Sequence, residues 1–259
     1  MSNLLFGICN LSIVPIRAEP SEKSEMISQL LFGEHFTIIE KQKNYSKVKG
    51  FFDSYVGFID NKQFEEIAED LYERLSTSEP VFSGEIIDFI TNSTNDYFTI
   101  PLGSRLPFFL KNEFILNSKK YIYDGKVFSG KLQKTEIIQN AFKFLNSPYL
   151  WGGKTPFGID CSGFTQMVYK LSGYSLFRDA KQQANQGEVL SFIEESEPGD
   201  LAFFDNENGE IIHVGIILKE YHIIHAFGKV RIDTLDHSGI FNAELQKHTH
   251  KLRVIKKMI

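Results

Sequence analysis

The stretch Asp160-Cys161-Ser162-Gly163-Phe164-Thr165-Gln166-Met167-Val168-Tyr169-Lys170-Leu171-Ser172-Gly173 decides the class of fold. Its apolar residues recur at helical spacing from Phe164 to Leu171, and Gly173 is a typical C-terminal cap. The pattern therefore predicts an amphipathic helix over residues 161–172. Apolar runs typical of strands follow this helix, at residues 200–204, 211–218, 221–227 and 252–255. Helices followed by antiparallel strands predict an α+β domain.

The part of the chain before this domain has a different pattern, in which short apolar runs are separated by turns. Four or five such runs between residues 7 and 64 predict a small β-barrel. Helical spacing over residues 63–75 predicts a connecting helix, and a second β-rich stretch at 81–128 predicts a second small barrel. The predicted domains are a first barrel (1–66), a helical linker (67–78), a second barrel (79–133) and the α+β domain (134–259).

Composition excludes several classes of function. The 259 residues include 28 basic and 33 acidic side chains, and this mild acidity argues against a protein that wraps nucleic acid. No run approaches the roughly 18 consecutive apolar residues of a membrane-spanning helix, so we expect neither a nucleic-acid nor a membrane partner. Residues 1–16 lack the basic region and small-residue cleavage site of a secretory signal. We therefore expect a cytoplasmic protein, with a periplasmic location left open.

The two cysteines, Cys9 and Cys161, exclude a disulfide framework and a multi-cysteine zinc site. Asp160 is a predicted N-cap, which puts Cys161 in the first helical turn. The helix dipole and the free N–H groups there favour the thiolate, and the same N–H groups suit an oxyanion. Cys161 is thus a candidate nucleophile, although a buried structural cysteine fits the same pattern. Cys9 is predicted to be a strand residue of the first barrel.

A nucleophile needs a base, and two of the seven histidines lie on neighbouring predicted strands. If the connecting turn centres on Lys219, His213 and His225 stand directly opposite each other on one face, with Cβ atoms about 5 Å apart. This geometry suits a base, His213, whose second nitrogen is oriented by His225. Strand alternation puts His222 on the other face. Two hydrogen-bonded sheet histidines without a catalytic role are the alternative.

A zinc enzyme is a further alternative, because His248 and His250 add two imidazoles to the His213 and His225 pair. The spacing matches no closed zinc site, and no acidic residue accompanies the histidines in a HExxH-like helix. We therefore predict no metal and no cofactor, and solvated surface positions for His248 and His250.

A set of motifs, taken in order, resembles the NlpC family of cysteine peptidases, which are bacterial cell-wall peptidases with a reduced papain-like core. The motifs are Tyr149-Leu150-Trp151-Gly152-Gly153, Asp160-Cys161-Ser162-Gly163-Phe164, Pro198-Gly199-Asp200-Leu201, Phe203-Phe204, His213-Val214-Gly215-Ile216 and His225-Ala226. The resemblance covers about residues 135–259 and implies helices packed on an antiparallel sheet. The two preceding barrels resemble the bacterial SH3-like domains that often precede this core.

The resemblance implies a Cys-His-His triad. Cys161 would be the nucleophile, His213 the general base and then acid, and His225 the residue that orients His213. No metal and no cofactor take part in this chemistry.

The resemblance also implies residues that bind substrate. Tyr149 matches a tyrosine of the oxyanion region or substrate pocket, and Asp160 and Ser162 match positions that line this pocket. Asp179 matches a position that helps to bind the free amine of the peptide. Plain structural roles stay open for two of them, since Asp160 also fits a helix cap and Asp179 a turn.

The double-barrel subgroup of this family implies a substrate. There the first barrel closes one end of the groove and recognises a free N-terminal L-alanine, and cleavage falls between γ-D-glutamate and the diamino acid of a murein peptide. A buried ammonium needs carboxylate and hydroxyl partners, for which Glu25 and Tyr55 are the candidates in the first barrel.

The leading hypothesis is thus a cysteine endopeptidase that acts on murein peptides in cell-wall recycling. An amidase or acyltransferase on the same core and a non-catalytic wall-binding module are the alternatives. The sequence leaves open whether the third substrate residue is lysine or diaminopimelate, whether intact wall is attacked, and the oligomeric state.

Overall fold

The computed structural model describes residues 4–259, and the chain divides into two compact units, Met1–Gly130 and Lys131–Ile259. The N-terminal unit is built mainly of strands. Its elements are β1 (Leu5–Ile8), β2 (Ile13–Arg17), β3 (Met26–Leu31), β4 (His35–Lys41), β5 (Tyr45–Gly50), β6 (Val56–Asp60), β7 (Glu65–Ile67), α1 (Glu69–Thr77), β8 (Val81–Ser83), β9 (Ile87–Asn92), β10 (Tyr97–Pro101), β11 (Glu113–Leu116), β12 (Lys119–Ile122) and β13 (Val127–Ser129).

The first sheet has the strand order β3-β2-β6-β5-β4-β1-β7 and is antiparallel throughout. Alternate residues of its strands pack into one apolar cluster, as the two-residue period of a half-buried strand requires. The cluster contains Cys9, Val14, Ile16, Leu30, Phe36, Ile38, Val48 and Ile59. Cys9 is fully buried, but it directly follows β1, so the prediction of a strand position is wrong by one residue.

The connecting helix begins later than its apolar spacing predicts. The pattern over residues 63–75 predicts one helix, whereas Glu65–Ile67 forms β7 and α1 begins at Glu69. β7 pairs with the edge of β1, which satisfies backbone groups and buries Ile67. Sheet pairing therefore overrides the local helical pattern in this segment.

The second β-rich region contains a four-stranded sheet, β10-β9-β12-β11, and a two-stranded sheet, β13-β8. Its apolar residues pack in the same cluster as residues of the first sheet. Phe6, Ile8 and Phe32 from the first region are in contact with a cluster that includes Ile90, Ile100, Phe114 and Tyr121. The two β regions thus share a core, which is why they form one compact unit.

A buried polar contact accompanies this shared core. His35 Nδ1 accepts a hydrogen bond from Arg105 Nη1 at 2.9 Å, and His35 Nε2 lies 3.1 Å from Ser76 Oγ. A guanidinium only donates, so Nδ1 of His35 must carry a lone pair and the proton must be on Nε2. Burial, followed by the charge of Arg105, lowers the pKa of His35 to about 3.

The C-terminal unit starts with helices and ends with strands, as predicted. Its elements are α2 (Lys134–Phe142), β14 (Lys154–Thr155), β15 (Gly158–Ile159), α3 (Cys161–Leu171), α4 (Ala180–Gln183), β16 (Glu188–Leu190), a 3-10 turn (Ile193–Glu195), β17 (Leu201–Asp205), β18 (Ile211–Ile217), β19 (His222–Phe227), β20 (Lys229–Asp236), β21 (Gly239–Asn242) and β22 (Lys247–Lys257).

The antiparallel sheet of this unit closes into a barrel. Strands β17 to β21 pair in order, and β22 pairs with β17 on one side and with β21 on the other. The sequence pattern identified neither β20 nor β21, and a short final strand was expected at 252–255. β22 is 11 residues long, and register shifts at Phe203/Phe204 and Ile240/Phe241 bend the pairing so that one strand serves both edges.

Helix α3 packs on the outside of this barrel, mainly against β18 and β19. All of its residues are buried, because α2 lies against it as well. Among the residues that the structure describes, no helix is long and apolar enough to cross a membrane.

The buried His35 makes the stability of the N-terminal unit depend on pH. The unfolded chain binds a proton at His35 near its ordinary value of 6.5, whereas the folded chain does not until about pH 3. Stability is therefore present above pH 6.5 and is lost on acidification, by about 1.4 kcal/mol per pH unit in this window. We expect His35→Gln, which keeps an acceptor for Arg105 and cannot titrate, to remove about 2 kcal/mol of the loss between roughly pH 6.5 and pH 5.

The measurement is urea unfolding of the full chain, in which hydrogen exchange of peptides from the N-terminal unit reports the unfolding of that unit. Wild type and the variant are compared at both pH values. An identical loss of stability in the two proteins would mean that His35 does not control the acid response.

Candidate active site

The structure puts Cys161 at the first position of α3. The side chain of Asp160 accepts a hydrogen bond from the backbone N–H of Gly163 at 2.7 Å, which is the predicted N-cap. Burial, followed by the negative charge of Asp160, raises the pKa of the Cys161 thiol to about 12. The backbone N–H groups of Val214 and Ser162 donate towards the sulfur and act in the opposite direction. Burial and Asp160 thus outweigh the N–H groups at the helix start, which by themselves favour the thiolate, and the sulfur rests as a thiol.

The N–H of Val214 brings the sulfur next to β18, the strand that carries His213. His213 and His225 do lie on one face of the sheet, but they are not directly opposite. His225 pairs with Gly215, because the connecting loop centres on Glu220, where φ is 55°, rather than on Lys219. The predicted register is therefore wrong, because the turn centres one residue later than predicted.

Gly215 explains how the two imidazoles still meet. A Cβ at this position would lie 2.7 Å from Cδ1 of Ile223 and 2.9 Å from the Cβ of His225, so no larger residue fits directly opposite His225. His213 is thus a diagonal neighbour of His225, and its Nε2 lies 2.8 Å from Nδ1 of His225. The small residue two positions after His213 is therefore part of the site.

Both histidines are uncharged near neutral pH. Burial is the main reason that the pKa of His213 lies well below its usual value, and the neighbouring imidazoles of His225 and His250 lower this pKa further. Burial also lowers the pKa of His225. Since the Cys161 thiol is neutral too, the resting state is a thiol beside an imidazole. Nε2 of His213 is occupied by His225, which leaves Nδ1 as the nitrogen that can act as a base.

A carboxylate continues this row of side chains. Nε2 of His225 lies 3.0 Å from Oδ2 of Asp233, which is 6% exposed. Sequence reasoning missed Asp233 because β20 was not recognised as a strand. An alternating pattern from Val230 to Leu235 was the available signal.

His250 was also missed, and its predicted position on the solvated surface is wrong. Its ring stacks on the ring of His213, with centroids 4.1 Å apart and planes at 25°. Burial, followed by His225, lowers the pKa of His250 to about 4. His248 remains exposed and contacts Asp236 at 2.9 Å. Strict alternation would put the two histidines on one face of β22, since they are two positions apart. The register shift at Ile240/Phe241, where Ile240 pairs with His250 and Phe241 with His248, separates them.

Three imidazoles of the described residues form a cluster with metal-ligand chemistry. His213, His225 and His250 each offer one nitrogen, and these nitrogens lie within 4.8 Å of one another. The zinc alternative of the sequence analysis named these three histidines together with His248, although no metal was predicted. The rings of His213 and His250 are stacked, however, so their in-plane lone pairs run side by side instead of converging as a tetrahedral zinc site requires.

Asp160 and Ser162, two of the predicted substrate-binding residues, make a buried polar network. Asp160 accepts from Arg178 Nη2 at 2.6 Å and Nη1 at 3.0 Å, and from the backbone N–H of Gly152 at 2.8 Å. Ser162 Oγ lies 3.0 Å from Arg178 Nη1. Asp160 thus has the structural role that the sequence left open as its alternative, and Arg178 is a residue of this network that sequence reasoning missed.

Tyr149 and Asp179 lie in the same unit. Burial, and after it the proximity of Cys161 and Asp160, raises the pKa of Tyr149 to about 12, so its hydroxyl stays protonated. Asp179 is the N-cap residue of α4, and its backbone N–H donates to Gln182 Oε1 at 3.2 Å. A role of either residue in substrate binding stays a prediction.

The remaining predicted substrate residues belong to the N-terminal unit. Glu25 is exposed just before β3, and its backbone carbonyl accepts from the N–H of Ala18 at 3.0 Å. Tyr55 is half-buried just before β6, and its N–H donates to Asp53 Oδ1 at 3.0 Å. Their predicted role at the amine of the substrate stays a prediction.

Two stretches of the chain match models of known protein families. Residues 146–253 match the NlpC/P60 family, and residues 16–64 match the bacterial dipeptidyl-peptidase SH3 domain. The predicted family resemblance is confirmed, as is the predicted fold class of a papain-like core preceded by an SH3-like domain. The second SH3-like barrel stays a prediction.

Two relatives indicate the class of protein. The chain is 43% identical over 93 residues to the gamma-D-glutamyl-L-lysine dipeptidyl-peptidase of Bacillus subtilis, a match that spans 35% of this chain and 31% of that protein. It is 25% identical over 249 residues to dipeptidyl-peptidase 6 of Lysinibacillus sphaericus, over 85% of this chain and 88% of the relative. The chain thus covers about a third of the length of the B. subtilis relative.

Solved structures share the fold. An NlpC/P60 family protein from Bacillus cereus has a TM-score of 0.82 at 19% identity, over 98% of this chain and 99% of that one. An NlpC/P60 endopeptidase from Photobacterium damselae subsp. piscicida has a TM-score of 0.74 at 17% identity, over 96% and 70%.

The neutral resting state predicts how Cys161 reacts with iodoacetamide. Only the thiolate fraction reacts, so the rate should rise about tenfold per pH unit between roughly pH 7 and pH 9. Mass spectrometry of the labelled peptide gives the rate, and Cys161→Ser reports the contribution of the fully buried Cys9. A rate that is constant from about pH 5 upwards would instead indicate a preformed thiolate–imidazolium pair.

The stacked His250 predicts a difference between two substitutions. His250→Ala removes a ring pair and should lower the free energy of unfolding of the C-terminal unit by about 0.5–1.5 kcal/mol. His250→Phe keeps the ring and should stay near wild type. Trp151, the single tryptophan, reports unfolding of this unit in urea. An equal loss in both variants would assign the effect to the nitrogens of His250 rather than to its ring.

Proposed function

The C-terminal unit is an NlpC/P60 family domain, and we propose that the protein is a cysteine endopeptidase that hydrolyses the bond between γ-D-glutamate and the diamino acid of murein peptides. The observation that carries this proposal is the arrangement of three groups. The Cys161 thiol lies at a helix start against the N–H of Val214, His213 immediately precedes Val214 on the same strand, and Nδ1 of His225 lies 2.8 Å from Nε2 of His213.

The chemistry of this arrangement is acyl transfer through a thioester. Nδ1 of His213 takes the thiol proton as the Cys161 sulfur attacks the carbonyl carbon, and then delivers the proton to the leaving amine. Water hydrolyses the thioester, with His213 again as the base. N–H groups at the start of α3 stabilise the oxyanion of each tetrahedral intermediate.

The names of the relatives support the choice of substrate. Gamma-D-glutamyl-L-lysine dipeptidyl-peptidase describes cleavage after γ-D-glutamate and release of a dipeptide, and we infer the same bond for this chain. A dipeptidyl-peptidase counts from a free N-terminus, so the substrate carries a free amine on L-alanine. We assign Glu25 and Tyr55 to that ammonium, because a carboxylate and a hydroxyl are its natural partners. Such free peptides are fragments of the wall, which makes recycling the proposed role.

Paired substrates test the proposal. We expect L-Ala-γ-D-Glu-diamino acid, with lysine or diaminopimelate, to be cleaved at the γ-D-glutamyl bond, as detected by chromatography and mass spectrometry. The N-acetylated peptide should be cleaved roughly 10–100-fold more slowly, because it loses a charge-assisted hydrogen bond of about 1.5–3 kcal/mol. Equal cleavage of both would refute recognition of the amine.

Matched variants separate the residues. Glu25→Gln should raise KM for the free-amine peptide, while Glu22→Gln, an exposed glutamate in the same loop, should not. Cys161→Ala should abolish cleavage and Cys9→Ser should preserve it. Loss of activity with a chelator, without loss on thiol alkylation, would contradict the thiol mechanism.

A further inference from the structure

Neighbouring strands of the closed barrel contribute polar side chains to one continuous row. His213 lies on β18, His225 on β19, Asp233 on β20 and Asn242 on β21. The distances along the row are 2.8 Å from His213 Nε2 to His225 Nδ1, 3.0 Å from His225 Nε2 to Asp233 Oδ2, and 3.3 Å from Asn242 Nδ2 to Asp233 Oδ2. The buried carboxylate of Asp233 therefore lies between His225 and Asn242 in this row.

The surroundings of Asp233 consist of donors. Arg231 Nη2 donates to Oδ1 at 3.0 Å, and Arg231 Nε lies 2.8 Å from Oδ2 as an ion pair that lacks hydrogen-bond geometry. Asn242 presents its amide nitrogen, because its Oδ1 already accepts from the N–H of Leu245 at 2.9 Å. The outer nitrogen Nη1 of Arg231 is held by Glu244 at 2.9 Å. This environment holds a charged carboxylate in one orientation.

Asp233 is ionised in the folded protein. Burial acts to raise its pKa, but the hydrogen bonds from His225 and Arg231 outweigh burial and leave the pKa below the usual value. An ionised carboxylate only accepts hydrogen bonds. The proton between Asp233 and His225 must therefore sit on Nε2 of His225.

The positions of the other protons follow in sequence. A neutral imidazole carries one proton, so Nδ1 of His225 has a lone pair and must accept from His213. Nε2 of His213 then carries the proton of that ring, and Nδ1 of His213 carries its lone pair. Nδ1 is the nitrogen on which the thiol proton of Cys161 has to arrive.

We propose that Asp233 is a positioning residue that sets the tautomers of His225 and His213 and so keeps Nδ1 of His213 able to accept a proton. Asp233 does not touch the reacting atoms. When His213 becomes an imidazolium, the negative charge of Asp233 stabilises it through the hydrogen bonds of His225. The kinetic consequences of this inference rest on the thiol peptidase activity proposed above. The tautomers themselves do not, because they exist in the resting protein.

The kinetic test compares Asp233→Ala and the isosteric Asp233→Asn with Asp236→Ala as the matched control. Asp236 is a carboxylate of the same strand that is exposed and contacts His248. For the free-amine murein peptide we expect Asp233→Ala to lower kcat about 10–100-fold with KM nearly unchanged. Asp233→Asn, which keeps an acceptor without the charge, should lie between, and Asp236→Ala should equal wild type. Added formate should restore part of kcat in Asp233→Ala only.

Two kinetic outcomes would overturn the inference. One is an unchanged kcat in both Asp233 variants. The other is a loss of kcat that formate does not reverse in a protein with wild-type circular dichroism, which would mean a structural role alone.

A spectroscopic test decides the inference independently of the substrate. Long-range 1H–15N correlation of the imidazoles should show His225 and His213 protonated on Nε2 in wild type and in Asp236→Ala. In Asp233→Ala the two rings should exchange between tautomers. Protonation of His225 on Nδ1 in wild type would overturn the inference. If these tautomers are found and no murein peptide is cleaved, the proposed substrate fails and the positioning role of Asp233 stands.

Discussion

The contact of 2.8 Å between His213 Nε2 and His225 Nδ1 is the constraint on which the rest of the site depends. It occupies one nitrogen of His213, so only Nδ1 is left for the thiol. It also requires a gap in the sheet, since the two residues are diagonal neighbours rather than a direct pair. Gly215 lies directly opposite His225, and closure of the barrel by β22 stacks the ring of His250 on the ring of His213.

The second requirement of the site is a helix start held in a buried setting. Asp160 caps α3 and pairs with Arg178, and both side chains are almost fully buried. Removing a carboxylate and a guanidinium from water is costly, and only close hydrogen bonds to each oxygen offset that cost. Two oxygens of Asp160 accept from Gly152, Gly163 and Arg178, so the loop before Cys161 and the start of the helix are tied to one group. The same burial keeps the thiol neutral, so in the proposed mechanism the activation of the sulfur depends on His213.

Local pattern predicted a good part of this architecture. The helical spacing that ends at Leu171 and the cap at Asp160 depend on neighbours within one helix, and both are found in the structure. Long-range pairing was harder to predict. The helix expected from residue 63 gave way to β7, because the edge of β1 offered hydrogen bonds that a local pattern does not include. The loop between β18 and β19 centres one residue later than expected, because two residues adopt positive φ.

By itself, the sequence determined the order of the motifs, the helix that starts at Cys161, and the single face that carries both His213 and His225. These features follow from chain-local periodicity of side chains, which is set by the geometry of the helix and the strand. Only the tertiary structure decided the register of the histidine pair, the presence of Asp233 and Arg178, and the stacking of His250 on His213. Those contacts join residues that are distant in the chain, and they arise because β20, β21 and β22 complete a closed barrel whose pairing no local pattern encodes.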